Sequence, residues 1–137
     1  MRKASTLLPL RGMNAWQTLL LLLLSSAARA AQGPSLFDDA GLKSVRRSPR
    51  PALIKLNPDP CDRTKCASMD TFWAAIAAKL PAGSVWAARC AEWPSVCAES
   101  GVRGDDFAPV LLAHVRGSFV RYGGEFQKGA LLQWAPA

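Results

Sequence analysis

The sequence predicts an α/β fold: a central mixed sheet with flanking helices and a C-terminal antiparallel hairpin. Three observations carry this. From Pro51 onward, short apolar runs bounded by Pro or Gly alternate with stretches of helical period, and strands separated by helices pair in parallel. The last two apolar runs, Val110–Val115 and Ser118–Tyr122, are separated only by Arg116-Gly117, and a two-residue connection makes an antiparallel hairpin. Finally, the run from Leu53 to Leu56 breaks at Asn57, Pro58, Asp59 and Pro60, and presents Cys61 and Cys66 where a helical pattern begins. A strand then delivers a thiol to a helix start, where orphan N–H groups and the positive dipole end favour a thiolate.

In chain order, residues 1–30 read as a secretory signal peptide. Arg2, Lys3 and Arg11 form a basic start, Leu19–Leu24 is an unbroken Leu run, and Ala28-Arg29-Ala30 supplies a cleavage site. The apolar run is short for a span of about 20 residues, so no stable membrane insertion is expected after cleavage. Residues 31–50 form an N-terminal segment. Ser35-Leu36-Phe37 suits a short strand, and Asp38-Asp39-Ala40 could start a short helix toward Val45. The basic stretch Lys43–Arg50 reads as a solvated loop, with Arg46-Arg47 as a conceivable processing site.

Residues 51–137 are expected to form the main domain. Ala52–Leu56 reads as a strand between prolines. Cys66–Leu80 reads as a helix, because Met69, Phe72, Trp73, Ile76 and Leu80 recur at spacings of three and four, the intervening alanines favour helix, and Pro81-Ala82-Gly83 ends it. Ser84–Arg89 is a second strand, Glu92–Ser100 a short helix closed by Gly101, and Phe126–Trp134 a closing helix. Trp73, Trp86 and Trp134 fit the core. Trp93, beside Pro94, is the tryptophan placed as a surface candidate for binding. His114, inside VLLAHV, reads as a strand residue.

Composition excludes several functions. The 137 residues carry a formal charge of +7, but four of the 17 basic residues and no acid lie in residues 1–30, so the remaining 107 carry only +3. That is an ordinary solvated surface and no argument for nucleic acid. All four cysteines (Cys61, Cys66, Cys90, Cys97) follow the signal, and an even count in an exported chain favours disulfides. Three connectivities are open; pairs close in sequence are the simplest. Without C-x-x-C, and with one histidine, a tetrahedral zinc site has little to build on. No phosphate loop or Ser/His/Asp grouping stands out, and no metal or other cofactor is expected.

Taken together, these residues resemble the thioredoxin fold, and within it the protein disulfide isomerase branch. Leu53-Ile54-Lys55-Leu56-Asn57-Pro58-Asp59-Pro60-Cys61 lies without gaps on that family's LVEFFAPWC segment. Cys90, Cys97 and Gly101-Val102-Arg103-Gly104 resemble its D-C-x6-C-x3-G-V-x-G stretch. Ala108-Pro109-Val110-Leu111-Leu112 resembles its cis-proline and following strand, and Arg116-Gly117 and Tyr122-Gly123-Gly124 its hairpin and ending. Cys90-Ala91-Glu92 and Ser35-Leu36-Phe37 are also similar to the thioredoxin domain of quiescin-type sulfhydryl oxidases.

The resemblance implies a secretory-pathway protein, in the endoplasmic reticulum lumen or secreted, that acts on cysteine-containing or unfolded client proteins. Cys61 would be the nucleophile and Cys66 the resolver. Ala108 and Pro109 would shape the client groove, with Pro109 in the cis form or, alternatively, a trans proline opening a strand. Cys90 and Cys97, flanking a turn after a strand end, are expected to form a structural disulfide.

The departures bear on activity. The site is C-x4-C rather than C-x-x-C, Pro60 replaces the family's Trp, Lys55 stands where a buried carboxylate moves protons, and Asp105–Ala108 are extra. They predict a weakly active or purely structural Cys61–Cys66 disulfide, so whether the chain is an enzyme stays open. The alternatives are a redox-inactive thioredoxin-fold binding module using the same groove, and a small secreted disulfide-stapled precursor.

Overall fold

A computed structural model describes residues 33–124. The expected signal peptide and the expected closing helix over 126–134, with Trp134, lie outside the described residues.

The first element, strand β1 (Ser35–Leu36), leads into helix α1 (Asp39–Arg47). The Asp38 carboxylate caps α1 by accepting the Gly41 N–H at 2.8 Å. Leu42 and Val45 recur at i, i+3 and are buried. The basic stretch expected as a loop is therefore helical through Arg47. Its charges point outward on a helix whose other side is core, and Arg46 reaches Glu99 at 3.3 Å. The Arg46-Arg47 pair occupies the last turn of α1.

Strand β2 (Ala52–Asn57) is buried at every position, and helix α2 (Arg63–Ala77) returns along it. The helix starts three residues before the expected Cys66, because Asp62 accepts the Lys65 N–H at 3.0 Å and caps it. It closes at Ala78, where Lys79 N–H donates to the Ile76 carbonyl at 3.0 Å and tightens the last turn. Strand β3 (Val85–Arg89), helix α3 (Pro94–Ser100), strand β4 (Val110–Val115) and strand β5 (Ser118–Arg121) complete the described chain, within two residues of the expected bounds. Gly101 ends α3 at φ 106°, and Arg116 (φ 52°) with Gly117 (φ 82°) makes the tight turn between β4 and β5.

The sheet order is β1-β3-β2-β4-β5. β1, β3 and β2 are parallel, with Ile54 opposite Trp86. β4 and β5 are antiparallel, with Ile54 opposite Leu112. Side chains alternate across the sheet. Ile54, Leu56, Val110 and Leu112 join Phe37, Leu42, Val45 and Val96 on the face covered by α1 and α3. Leu53, Leu111 and Ala113 join Met69, Trp73 and Ile76 on the face covered by α2.

Trp73 is wholly buried, and its indole N–H donates to the Trp86 carbonyl at 2.8 Å. Trp93 is half-buried against the first core rather than free on the surface. His114 is buried with its ring edge-on to Phe119 at 4.8 Å; burial, then the charge of Arg46, lowers its pKa.

Gly41 marks the closest approach of α1 to the sheet. A Cβ there would lie 2.8 Å from the Leu36 carbonyl oxygen and 3.0 Å from the Trp86 ring. Gly→Ala in a helix normally gains about 1 kcal/mol, but this clash with backbone costs more. Gly41→Ala is expected to lower stability by about 1–2 kcal/mol, read as a lower urea midpoint at unchanged slope.

Candidate functional site

The site lies at the C-terminal end of β2, where the parallel strands of an open α/β sheet gather their loops. The chain leaves the core at Asn57 and turns at buried Pro58 and exposed Asp59 and Pro60. The Asp59–Pro60 peptide bond is cis. Half-exposed Cys61 follows, then the Asp62 cap and the first turn of α2, where Cys66 is 7% exposed. Cys61 and Cys66 are joined as a disulfide, with 6.3 Å between their Cα atoms. The Cys66 N–H donates to the Asp62 carbonyl at 2.9 Å. Arg63 and Lys65 are exposed on the same turn.

Two further segments meet this turn. The first is the loop before β4. Asp62 N–H donates to the Phe107 carbonyl at 2.6 Å, so this loop is seated against the helix start. The Phe107 side chain is 57% exposed, and Ala108 is half-buried before buried Pro109. The loop is built on Asp106, which accepts the Arg103 N–H at 2.6 Å and pairs with the Arg121 guanidinium. Pro109 closes this loop, and its peptide bond is trans rather than cis; among the described residues the cis bond is Asp59–Pro60.

The second segment carries the other disulfide. Cys90 and Cys97 are bonded with 5.6 Å between Cα atoms, and both are buried. The Cys90 N–H donates to the Asn57 carbonyl at 2.9 Å, which fixes the end of β3 beside the end of β2. Both disulfides therefore stand at the same end of the sheet, one half-exposed and one sealed.

Beneath α2, Lys55 is 4% exposed. Its ammonium donates to Asn57 Oδ1 at 3.0 Å and to Asp70 Oδ1 at 2.5 Å, and Asn57 Nδ2 donates to the same Asp70 oxygen at 3.0 Å. Burial pushes the Asp70 pKa up, but the bonds from Lys55 and Asn57 and the charges of Lys55 and Arg89 outweigh it and hold it below the usual carboxylate range. Sequence reasoning found Lys55 but missed Asp70, Asn57 and Phe107. A usable signal existed for Asp70: it lies four residues, one helical turn, after Cys66.

No protein-family profile and no curated protein matches the chain. Solved structures do. The J-Trx1 fragment of ERdj5 superposes with a TM-score of 0.61 at 17% identity over 73% of this chain and 47% of that one. ERdj5 form I gives 0.61 at 17% identity over 74% of this chain and 13% of that one. The fold is the thioredoxin fold. The chain thus spans about half of the J-Trx1 fragment and a small part of ERdj5. An open cavity of about 670 Å³ lies at the other end of the sheet, between Val45, Arg50, Leu80 and Trp86, and holds none of the site residues.

Hydrogen bonding to Arg121, opposed by burial and helped by the Arg103 N–H, keeps the Asp106 pKa below its ordinary value. A depressed carboxylate stabilises the fold above its unfolded pKa of about 3.9, and that contribution is lost as pH falls through the folded value. Asp106→Asn is expected to lower stability at pH 7 and to lose less than the native chain between pH 4 and 2, measured by urea unfolding at each pH.

Proposed function

We propose that this chain is a secretory-pathway thiol–disulfide exchange protein of the protein disulfide isomerase type, acting on cysteine-containing or unfolded client proteins. The observation that carries the reading is one half-exposed sulfur, Cys61, bonded to one buried sulfur, Cys66, at the start of α2. An incoming sulfur meets Cys61 first, so Cys61 forms the mixed disulfide. Cys66, one turn inside the helix, resolves it.

The neighbouring surface suits a client. Phe107 offers an exposed aromatic face beside the disulfide, and on this reading the half-buried Ala108 and the buried Pro109 that follow it shape the client groove. The oxidised state of all four cysteines supports an oxidising compartment, as does the signal-like start. The chemistry needs no cofactor, since client and protein exchange electrons through sulfur alone.

One observation favours the redox-inactive binding module instead. The position beneath the site holds Lys55, which cannot accept a proton from a thiol while it carries its own charge.

Thiol trapping of the purified chain across a glutathione series, with mass mapping of each pair, separates the two. The exchange reading expects Cys61–Cys66 to titrate in the physiological range while Cys90–Cys97 stays oxidised. A Cys61–Cys66 potential well below about −300 mV would mark the disulfide as structural and leave the binding module.

A further inference from the structure

We propose that Cys61–Cys66 works as an electron acceptor for client thiols, with Cys61 as the attacked sulfur and Cys66 leaving as a thiolate held by the buried ammonium of Lys55. The proposal rests on the exchange reading above and gives it a direction.

The strand supplies the geometry. Leu53, Lys55 and Asn57 alternate onto the β2 face that α2 covers, as the Leu53 core contacts and the bonds of Lys55 and Asn57 to Asp70 establish. The helix runs the opposite way: Trp73 and Ile76 pack with Leu53, Asp70 binds Lys55 and Asn57, and Cys66 lies one turn nearer the helix start. Residues at i and i+4 stand about 6 Å apart at Cβ on one helix face. The buried ammonium is thus bound to a residue that lies one helical turn from Cys66 on the same helix.

Several other charges bear on that sulfur, and their signs differ. On α2, Asp70 opposes a thiolate, as does the Asp62 cap, while Arg63 and Lys65 favour it. Asp59 in the preceding turn opposes it, and Arg89, on β3, acts on Asp70. Exposure decides the balance. The Asp70 side chain is 55% exposed and the Lys55 side chain 5%. Water screens the carboxylate far more than the ammonium. Cys66 is also nearly buried, so water weakens its interaction with the ammonium less than it weakens that with the exposed end of the Asp70 carboxylate. Asp70 is a poor alternative as proton acceptor for Cys66, because the bonds from Lys55 and Asn57 hold its pKa below the usual carboxylate range.

The reaction balances without any further reagent. A client thiolate attacks the Cys61 sulfur. The bond to Cys66 breaks, and its electron pair leaves on Cys66 as a thiolate. A second client thiolate then attacks the client sulfur of the mixed disulfide and releases Cys61, which takes a proton from water. Two client thiols have become one client disulfide. Cys61 ends as a thiol, Cys66 as a thiolate, and one proton is released to solvent. A more stable leaving thiolate speeds the first step and favours the reduced protein.

Two readouts on the full chain test this. In a Cys61→Ser background, the thiolate absorbance of Cys66 is followed against pH with Lys55 native, with Lys55→Gln and with Lys55→Met. The Gln variant retains an amide for Asn57 and Asp70 should Met fail to fold. Loss of the ammonium is expected to raise the Cys66 midpoint by at least one pH unit; an unmoved midpoint overturns the role of Lys55. Separately, the equilibrium of native Cys61–Cys66 with glutathione is measured from pH 6 to 8. Release of one proton makes reduction about tenfold more favourable per pH unit, and Lys55→Gln should flatten that slope. Failure of the native pair to exchange with glutathione at every pH, while the Cys66 midpoint still depends on Lys55, overturns the exchange reading and with it the acceptor role. Exchange with no pH slope leaves the exchange reading standing and overturns the leaving thiolate at Cys66, and with it this proposal alone.

Discussion

The ammonium of Lys55 has no water to turn to. It sits on a strand buried along its whole length, and an isolated charge there would cost several kcal/mol. Its partners, Asp70 and Asn57, come from the covering helix and from its own strand. That need fixes how α2 lies on β2, because only one register brings Asp70 over Lys55. Trp73, three residues on, then falls into the core with its indole N–H on the Trp86 carbonyl. One turn the other way, the same register brings Cys66 to the floor of the site. Apolar packing alone would tolerate a slip along the helix better than this combination does, since it would strand both an ammonium and an indole N–H.

The fold was largely legible in the sequence. Period and punctuation placed β2, β4, the hairpin turn and the body of α2, because those segments are buried on one or both faces and their patterns follow burial directly. The misreadings have physical causes. The charges of Lys43–Arg50 suggest a solvated loop, whereas two apolar residues, Leu42 and Val45, with a cap at Asp38, decide a short helix. The start of α2 was set at the thiol, whereas the cap at Asp62 decides it. The cis bond expected at Pro109 came from resemblance alone, and the chain carries its cis proline at Pro60.

The site was less legible because its parts become neighbours only through packing. Asp70 is a half-exposed residue on the outer flank of a helix, and apart from its spacing of one turn from Cys66 it reads in sequence as a solvating charge. It becomes part of the site when α2 is laid antiparallel to β2. Phe107 is similar: its contribution depends on the Asp62 N–H finding the Phe107 carbonyl across 45 residues of chain.

The two disulfides show what the C-x4-C spacing changes. Cys90–Cys97 is sealed on both sides and tied by its backbone to Asn57, so it fastens β3 and α3 to the sheet. In Cys61–Cys66 the two added residues hand the capping role to Asp62, and the helix start now begins after Cys61 rather than at it. The exposed sulfur thereby loses the direct support of the helix N-terminus. The buried sulfur gains the first turn above it and a lysine beneath it. On the proposed reading a thiolate is better held at Cys66 than at Cys61, while access remains at Cys61. A disulfide with its open sulfur on one side and its stable leaving group on the other is asymmetric in the sense an acceptor requires.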